Sequence, residues 1–189
     1  MANRERLPPI AAEKMTKEQR LAAEEFKAGR GHDLIGPFAV MVRSPEVMLR
    51  AKGLGDYLRF RNVLPKHVSE MVILLTAREW TQEFEWSHHY SYALAAGLAP
   101  AIIAAIAEGR RPQGMAEDEA AAYDFAVELQ RRKSVSDATY AEACRVFGEP
   151  GVIDLIGIMG YYSLLAMMMN VARTEPDTDK GLPLPRFPD

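Results

Sequence analysis

The chain carries one cysteine, Cys144, in 189 residues. A single thiol closes no intrachain disulfide and builds no cysteine zinc site, so neither staples this fold. It also fits a reducing compartment. Long basic runs are missing and the formal net charge is −3, which argues against a nucleic-acid partner. The β-branched runs are short and the Asn-Gly hairpin dipeptide does not occur, so signals for strands are weak throughout. The opening stretch "MANRERLPPIAAEKM" lacks the apolar core of a secretory signal, and a cytoplasmic chain is expected. Histidine is scarce as well, with four in total.

What is present reads as helices. Hydrophobic residues make up 48% and charged residues 26%, values of an ordinary soluble globular protein. "TKEQRLAAEEFKAG" predicts a helix capped by Thr16 and ended by Gly29, and "GRGHDLIGPF" a loop closed by Pro37. A helix follows Ser44, with Pro45 at its first position. "VLPKHVSE" is the next break, with Ser69 or a neighbour opening the apolar run "MVILLTA". Gly97 closes that stretch, and "LAPAIIAAIAEGRRP" is a further short helix ended by Gly109. Three more are expected: an amphipathic one from "MAEDEAAAYDF", one capped by Ser136, and an apolar one from Val152. The fold class is all-α.

The apolar segment from Leu155 to Ala172 contains no charge and reaches the lower limit for spanning a membrane. Two glycines, Ser163, Asn170, the tyrosine pair and the preceding Asp154 argue for a buried core helix and no membrane. Its methionines, Met159 and Met167 to Met169, read as packing in the core or at a subunit interface. An internal repeat is also expected: "EMVILLTAREWTQEFEW" from Glu70 registers without a gap over "DLIGIMGYYSLLAMMMN" from Asp154. Glu85-Trp86 in the first copy then faces Met169-Asn170 in the second, so polar chemistry falls on the first.

That chemistry centres on "EFEWSHHYSYA", residues 83–93, which holds two of the histidines side by side. On one helix Gln82, Glu85 and His89 share a face, extended by Arg78, while His88 stands ~100° from His89. A carboxylate one turn from an imidazole can share its proton, fix its tautomer and raise its basicity, as general acid–base catalysis requires. On a wet helix face the same pair would only help the helix. Trp80, Phe84, Trp86, Tyr90 and Tyr92 around it argue against a fully wet face. Glu70 adds a carboxylate at the border of an apolar run, where an unpaired charge is costly. On one straight helix it would lie about 22 Å from Glu85, so the two cooperate only if the chain turns back. "TAREWTQ" offers that turn, with Thr81 as cap and Glu83 in the first turn. Glu85, His88 and His89 could alternatively ligate zinc or iron, although the spacing is not the H-E-x-x-H of zincins. Ser87 lies beside the histidines without a nucleophile elbow, and Cys144 reads as an inert thiol.

The stretches "RLPP", "LIGPFAVMVRSPE", "EMVILLTAREWTQEFEWSHH", "GLAPAIIAAI" and "FGEPGVIDLIGIMGYYSLLAMMMN" together resemble the carboxymuconolactone decarboxylase family, which includes the alkylhydroperoxidase-D-like proteins. The thiol-active branch of that family resembles Glu-x11-Cys-x2-Cys-x3-His. From Glu70 this spacing falls on Gln82, Glu85 and His89: the acid and the imidazole match, and both thiols are replaced. Disulfide-linked peroxide reduction needs those thiols, so it is not expected here. The decarboxylase branch is similar in its Glu-x3-His, matched by Glu85 and His89.

The resemblance implies an alkylhydroperoxidase-D-like helical bundle of two related units that forms trimers, hexamers or dimers. It implies a cofactor-free lyase of aromatic catabolism that removes carbon dioxide from a small carboxylated lactone or ring. In that scheme His89 donates the proton, Glu85 orients it, Glu70 is a relay and His88 anchors a substrate carboxylate. Gln82 and Trp86 are further candidates for substrate contact, and Phe38, in a "GPF" similar to a family loop near the pocket, is a candidate wall. The expected organisation is an extension and loop over 1–35, one domain over 36–175 with units 36–112 and 113–175, and a tail over 176–189. A small-molecule-binding member without catalysis and a metal-dependent enzyme stand as alternatives.

Overall fold

In the computed structural model, residues 5–176 and Leu184 are described; the tail expected over 176–189 lies almost entirely outside them. The described residues form helices and no strand, in line with the all-α expectation. The helices are α1 (Lys17–Arg30), α2 (Pro37–Met41), α3 (Pro45–Phe60), α4 (Lys66–Glu79), α5 (Glu83–Ala95), α6 (Pro100–Ala107), α7 (Glu117–Arg132) and α8 (Asp137–Ala172).

α4 is the centre of the bundle. Every residue from Val68 to Arg78 is buried, and the helix packs against α5, α6, α7 and α8. A helix that is apolar nearly all round has no solvent face, so an all-round covering is the stable arrangement. Against it lies the apolar part of α8, which also meets α2, α3 and α7. α8 is long and apolar enough to cross a membrane by composition, yet half of its most apolar window is buried against these helices. Met159 and Met169 are core residues, while Met167 is exposed.

Several expected boundaries shift. α1 has the Thr16 cap, with Gln19 completing a capping box, but it runs to Arg30 and ends at Gly31 in the left-handed region. Ser44 precedes Pro45 without a side-chain cap bond. α4 starts at Lys66 after Pro65, a turn earlier than Ser69. The last two expected helices are the arms of α8, broken at Gly148 (φ 68°, ψ 170°), with Pro150 in the first turn of the second arm.

The second arm carries Asp154, the acid that registers with Glu70. It is buried and clamps the turn between α3 and α4, accepting from the Val63 amide at 2.9 Å and the Tyr57 hydroxyl at 3.3 Å. The extension before α1 docks across the molecule. The Arg6 amide donates to the Ala172 carbonyl at 2.7 Å, and the Arg43 guanidinium holds the Pro8 carbonyl at 2.5 Å.

Candidate active site

The site depends on the reversal between α4 and α5. α4 ends in a Schellman motif: the Gln82 amide donates to Ala77 at 2.8 Å and the Thr81 amide to Arg78 at 3.0 Å. Thr81 occupies the left-handed position (φ 45°), where glycine is usual. Thr81 is therefore the reversal itself. The cap of α5 is Gln82, whose side-chain oxygen accepts from the amides of Phe84 at 2.7 Å and Glu85 at 3.3 Å. Its amide nitrogen donates to Asn170 at 2.8 Å, and Asn170 donates to the Trp80 carbonyl at 2.9 Å. Gln82 thus ties the hairpin to α8. Arg78 belongs to α4 and does not extend the Glu85–His89 face.

The reversal lays α5 back along α4 and brings Glu70 to His89. His89 Nδ1 lies 2.6 Å from Glu70 Oε2, and His89 Nε2 lies 3.4 Å from Glu85 Oε1. On the far side of Glu70, Lys66 Nζ sits 2.9 Å from Oε1. All three inner residues are buried, whereas the Lys66 side chain is half exposed. The order in space is Lys66, Glu70, His89, Glu85.

Burial alone would raise the carboxyl group of Glu70. The hydrogen bond and charge of His89, joined by Lys66, outweigh it and hold Glu70 at about 2. For His89 burial works against the charged ring, and the hydrogen bonds and charges of Glu70 and Glu85 reverse this, raising its affinity for the proton. The array is a histidine ring held at both nitrogens between two buried acidic side chains. Tyr162 packs edge-on against the His89 ring, centroids 5.1 Å apart, and burial holds its hydroxyl well above the usual phenol range, so it stays protonated.

Glu85 and His89 form part of the wall of a cavity that encloses about 50 Å³, with about 480 Å³ of empty space once its open mouth is counted. The enclosed part is smaller than the ~300–1,000 Å³ of small-molecule sites, so a ligand of that class would occupy the mouth as well. Pro37, Phe38, Phe84 and Leu165 give apolar wall, and Tyr161 and Tyr162 close it from α8. Arg30, His32, His88 and Arg59 add polar groups. Two glycines make room: a Cβ on Gly36 would run into the Phe84 ring, and one on Gly55 into the Tyr161 hydroxyl.

Of the residues singled out in the sequence, Glu85, His88, His89 and Phe38 line the cavity, and Glu70 stands directly behind His89. Gln82 and Trp86 do not line it. Gln82 is spent on capping, and Trp86 is a core residue with 1% exposure. His88 stacks near-parallel on Phe84, at 6.0 Å between centroids. The sequence reading missed Arg30, His32, Arg59 and the Tyr161–Tyr162 pair as cavity residues. Only the tyrosines left a signal, as a polar interruption of an apolar run. Cys144, on the first arm of α8, is partly buried and does not line the cavity. Among the described residues no group of three or more His, Cys, Asp or Glu is arranged to hold a metal ion.

No protein-family model matches the sequence, and no curated protein matches it either. Solved structures do match. A peroxidase-related protein from Ralstonia eutropha JMP134, described as an alkylhydroperoxidase AhpD core, is 17% identical over 93% of each chain, with a TM-score of 0.75. The debrominase Bmp8 matches twice at 14% identity. As a cysteine-to-alanine variant in complex with 2,3,4-tribromopyrrole it has a TM-score of 0.71, over 93% of each chain. In its apo form the TM-score is 0.70, over 91% of this chain and 92% of that one. The chain has the AhpD-like fold.

Proposed function

We propose that this chain is a cofactor-independent acid–base enzyme, a decarboxylase or related lyase acting on a small carboxylated ring or lactone. The observation that carries the proposal is the Lys66–Glu70–His89–Glu85 array, its inner three residues buried, which ends at the wall of a cavity. A histidine held between two buried acidic side chains is costly to desolvate. A proton-transfer site needs such a group.

In the proposed reaction the bond between a ring carbon and its carboxylate breaks. Carbon dioxide leaves, and the electron pair passes into the conjugated carbonyl as a dienolate. A proton then forms the new C–H bond. Both ring nitrogens of His89 face carboxylates, so the longer 3.4 Å contact to Glu85 is the one that opens to substrate. Proton delivery therefore runs from His89 Nε2 directly or through Glu85, while Glu70 keeps the ring oriented from Nδ1. The protonated Tyr162 against His89 keeps that end of the cavity free of a further negative charge.

Thiol peroxidase chemistry has no support, because the two positions that resemble its cysteines are Gln82 and Glu85. The test is carbon dioxide release from a panel of carboxylated lactones and ring acids by the unaltered chain and by His89→Gln. A fall of at least ~100-fold supports the assignment. Unchanged turnover in the variant removes His89 from its role, and no turnover across the panel removes the lyase reading.

A further inference from the structure

We propose that Arg59 is the anion anchor of the cavity, so that the ligand is a small planar carboxylate whose charged end meets this guanidinium. The inference deepens the reading of the cavity as a substrate site and assigns to Arg59 the place that the family resemblance implied for His88.

Two arginines reach the cavity, and their surroundings differ. Arg30 is committed: its guanidinium meets the Asp56 carboxylate at 2.6 Å and its side chain is 8% exposed. It also lies over the rings of Phe26, Phe38 and Phe60. Arg59 has no carboxylate partner among the described residues. Its guanidinium rests over the Tyr92 ring at 4.8 Å and near the Phe60 ring at 5.5 Å. Stacking of this kind fixes the plane of a guanidinium while leaving its N–H edge unfilled, the geometry that receives a carboxylate in two parallel bonds.

Charge bookkeeping points the same way. Glu70 meets Lys66 and His89, Glu85 meets His89, and Asp56 is shared by Arg30 and Lys52. Arg59 is the cavity-wall guanidinium without a carboxylate among the described residues. A ligand that brings a negative charge supplies one. The apolar surface of Phe38 and Phe84 then receives its uncharged body. A carboxylate paired with guanidinium is stabilised in the ground state and resists leaving as carbon dioxide. In the proposed lyase reaction the carboxylate on Arg59 is therefore one the product keeps, and the substrate carries a second.

The anchor is tested with benzoate and its neutral isostere benzamide, titrated by calorimetry or ligand-observed NMR into the full chain and into Arg59→Gln and Arg59→Lys. Benzoate is expected to bind the unaltered chain at least ~10-fold tighter than benzamide, and Arg59→Gln to remove most of that difference. Arg59→Lys, which keeps the charge and loses the fork, falls between them. Equal binding of the two probes, no binding of either at millimolar concentration, or full benzoate affinity in Arg59→Gln overturns the proposal. A melting curve for each variant separates lost binding from lost fold. Discrimination that depends on Arg59 in a chain without decarboxylase turnover retains the anchor and removes the lyase. Turnover indifferent to Arg59→Gln does the reverse.

Discussion

Glu70 and His89 sit 19 positions apart in sequence and 2.6 Å apart in space, and neither has more than 1% of its surface exposed. The hydrogen bond crosses from the central helix of the bundle to the helix that follows it. It is at once a tertiary contact and half of the Glu70–His89–Glu85 array.

Replacement of Glu70 by glutamine keeps the shape and removes the charge. The His89 ring then loses its nearer counter-charge in a buried setting. Stability is expected to fall by about 1–3 kcal/mol, read as a lower urea midpoint at unchanged slope. A variant as stable as the unaltered chain would show that the pair contributes nothing net.

The pH dependence follows from the two shifts. Glu70 is held at about 2 against an ordinary 4.5, so its contribution is fully present above 4.5 and is lost as the pH falls through 2. His89 is raised from 6.5, so its contribution is fully present below 6.5 and is lost as the pH rises through the raised value. The array supports the fold best between pH 4.5 and 6.5. Melting temperatures across a pH series are expected to show both limbs, and Glu70→Gln is expected to flatten the acidic one. An acidic limb of the same depth in that variant would place its origin elsewhere.

Thr81 is a β-branched residue in the left-handed region, at the position of a Schellman motif that favours glycine. Thr81→Gly relieves that conformation and is expected to stabilise the chain by about 0.5–1 kcal/mol. Thermal unfolding measures the sign directly, and a loss of stability would mean that the threonine side chain contributes more than its backbone costs.

Gln82→Ala removes the cap of α5 and the bond to Asn170 together. A cost of about 1–2 kcal/mol is expected, with raised amide exchange in the first turn of α5 and around Asn170. If only the α5 amides change, the side chain acts as a cap and the tie to α8 is idle.

Much of the frame was legible because helices announce themselves locally. Thr16, Pro45, Gly97 and Ser136 mark ends that lie within a residue or two of the observed ones. The Glu85–His89 spacing was visible for the same reason, since one turn of helix is a sequence-local distance. Joining Glu70 to them required the reversal after α4, which "TAREWTQ" offered, though with Thr81 as the cap where it is the left-handed turn residue and Gln82 is the cap. Trp86 was misplaced because an aromatic next to an acid on a helix points elsewhere around the axis, here into the core. Arg59 and Arg30 come from helices ahead of the polar cluster, and only packing brings them to its cavity.

The all-round burial of α4 has a consequence for time rather than for energy. Among the described residues, the hydrogen shared by Glu70 and His89 is surrounded by packed side chain, with the cavity and the Lys66 ammonium group as its routes to water. Its residence is set by how often those two routes open, not by the acidity of the groups that hold it. An imidazole N–H resonance that survives far downfield in water would be the mark of such isolation, and its broadening when ligand fills the cavity, or when Lys66 is replaced, would say which route the proton takes.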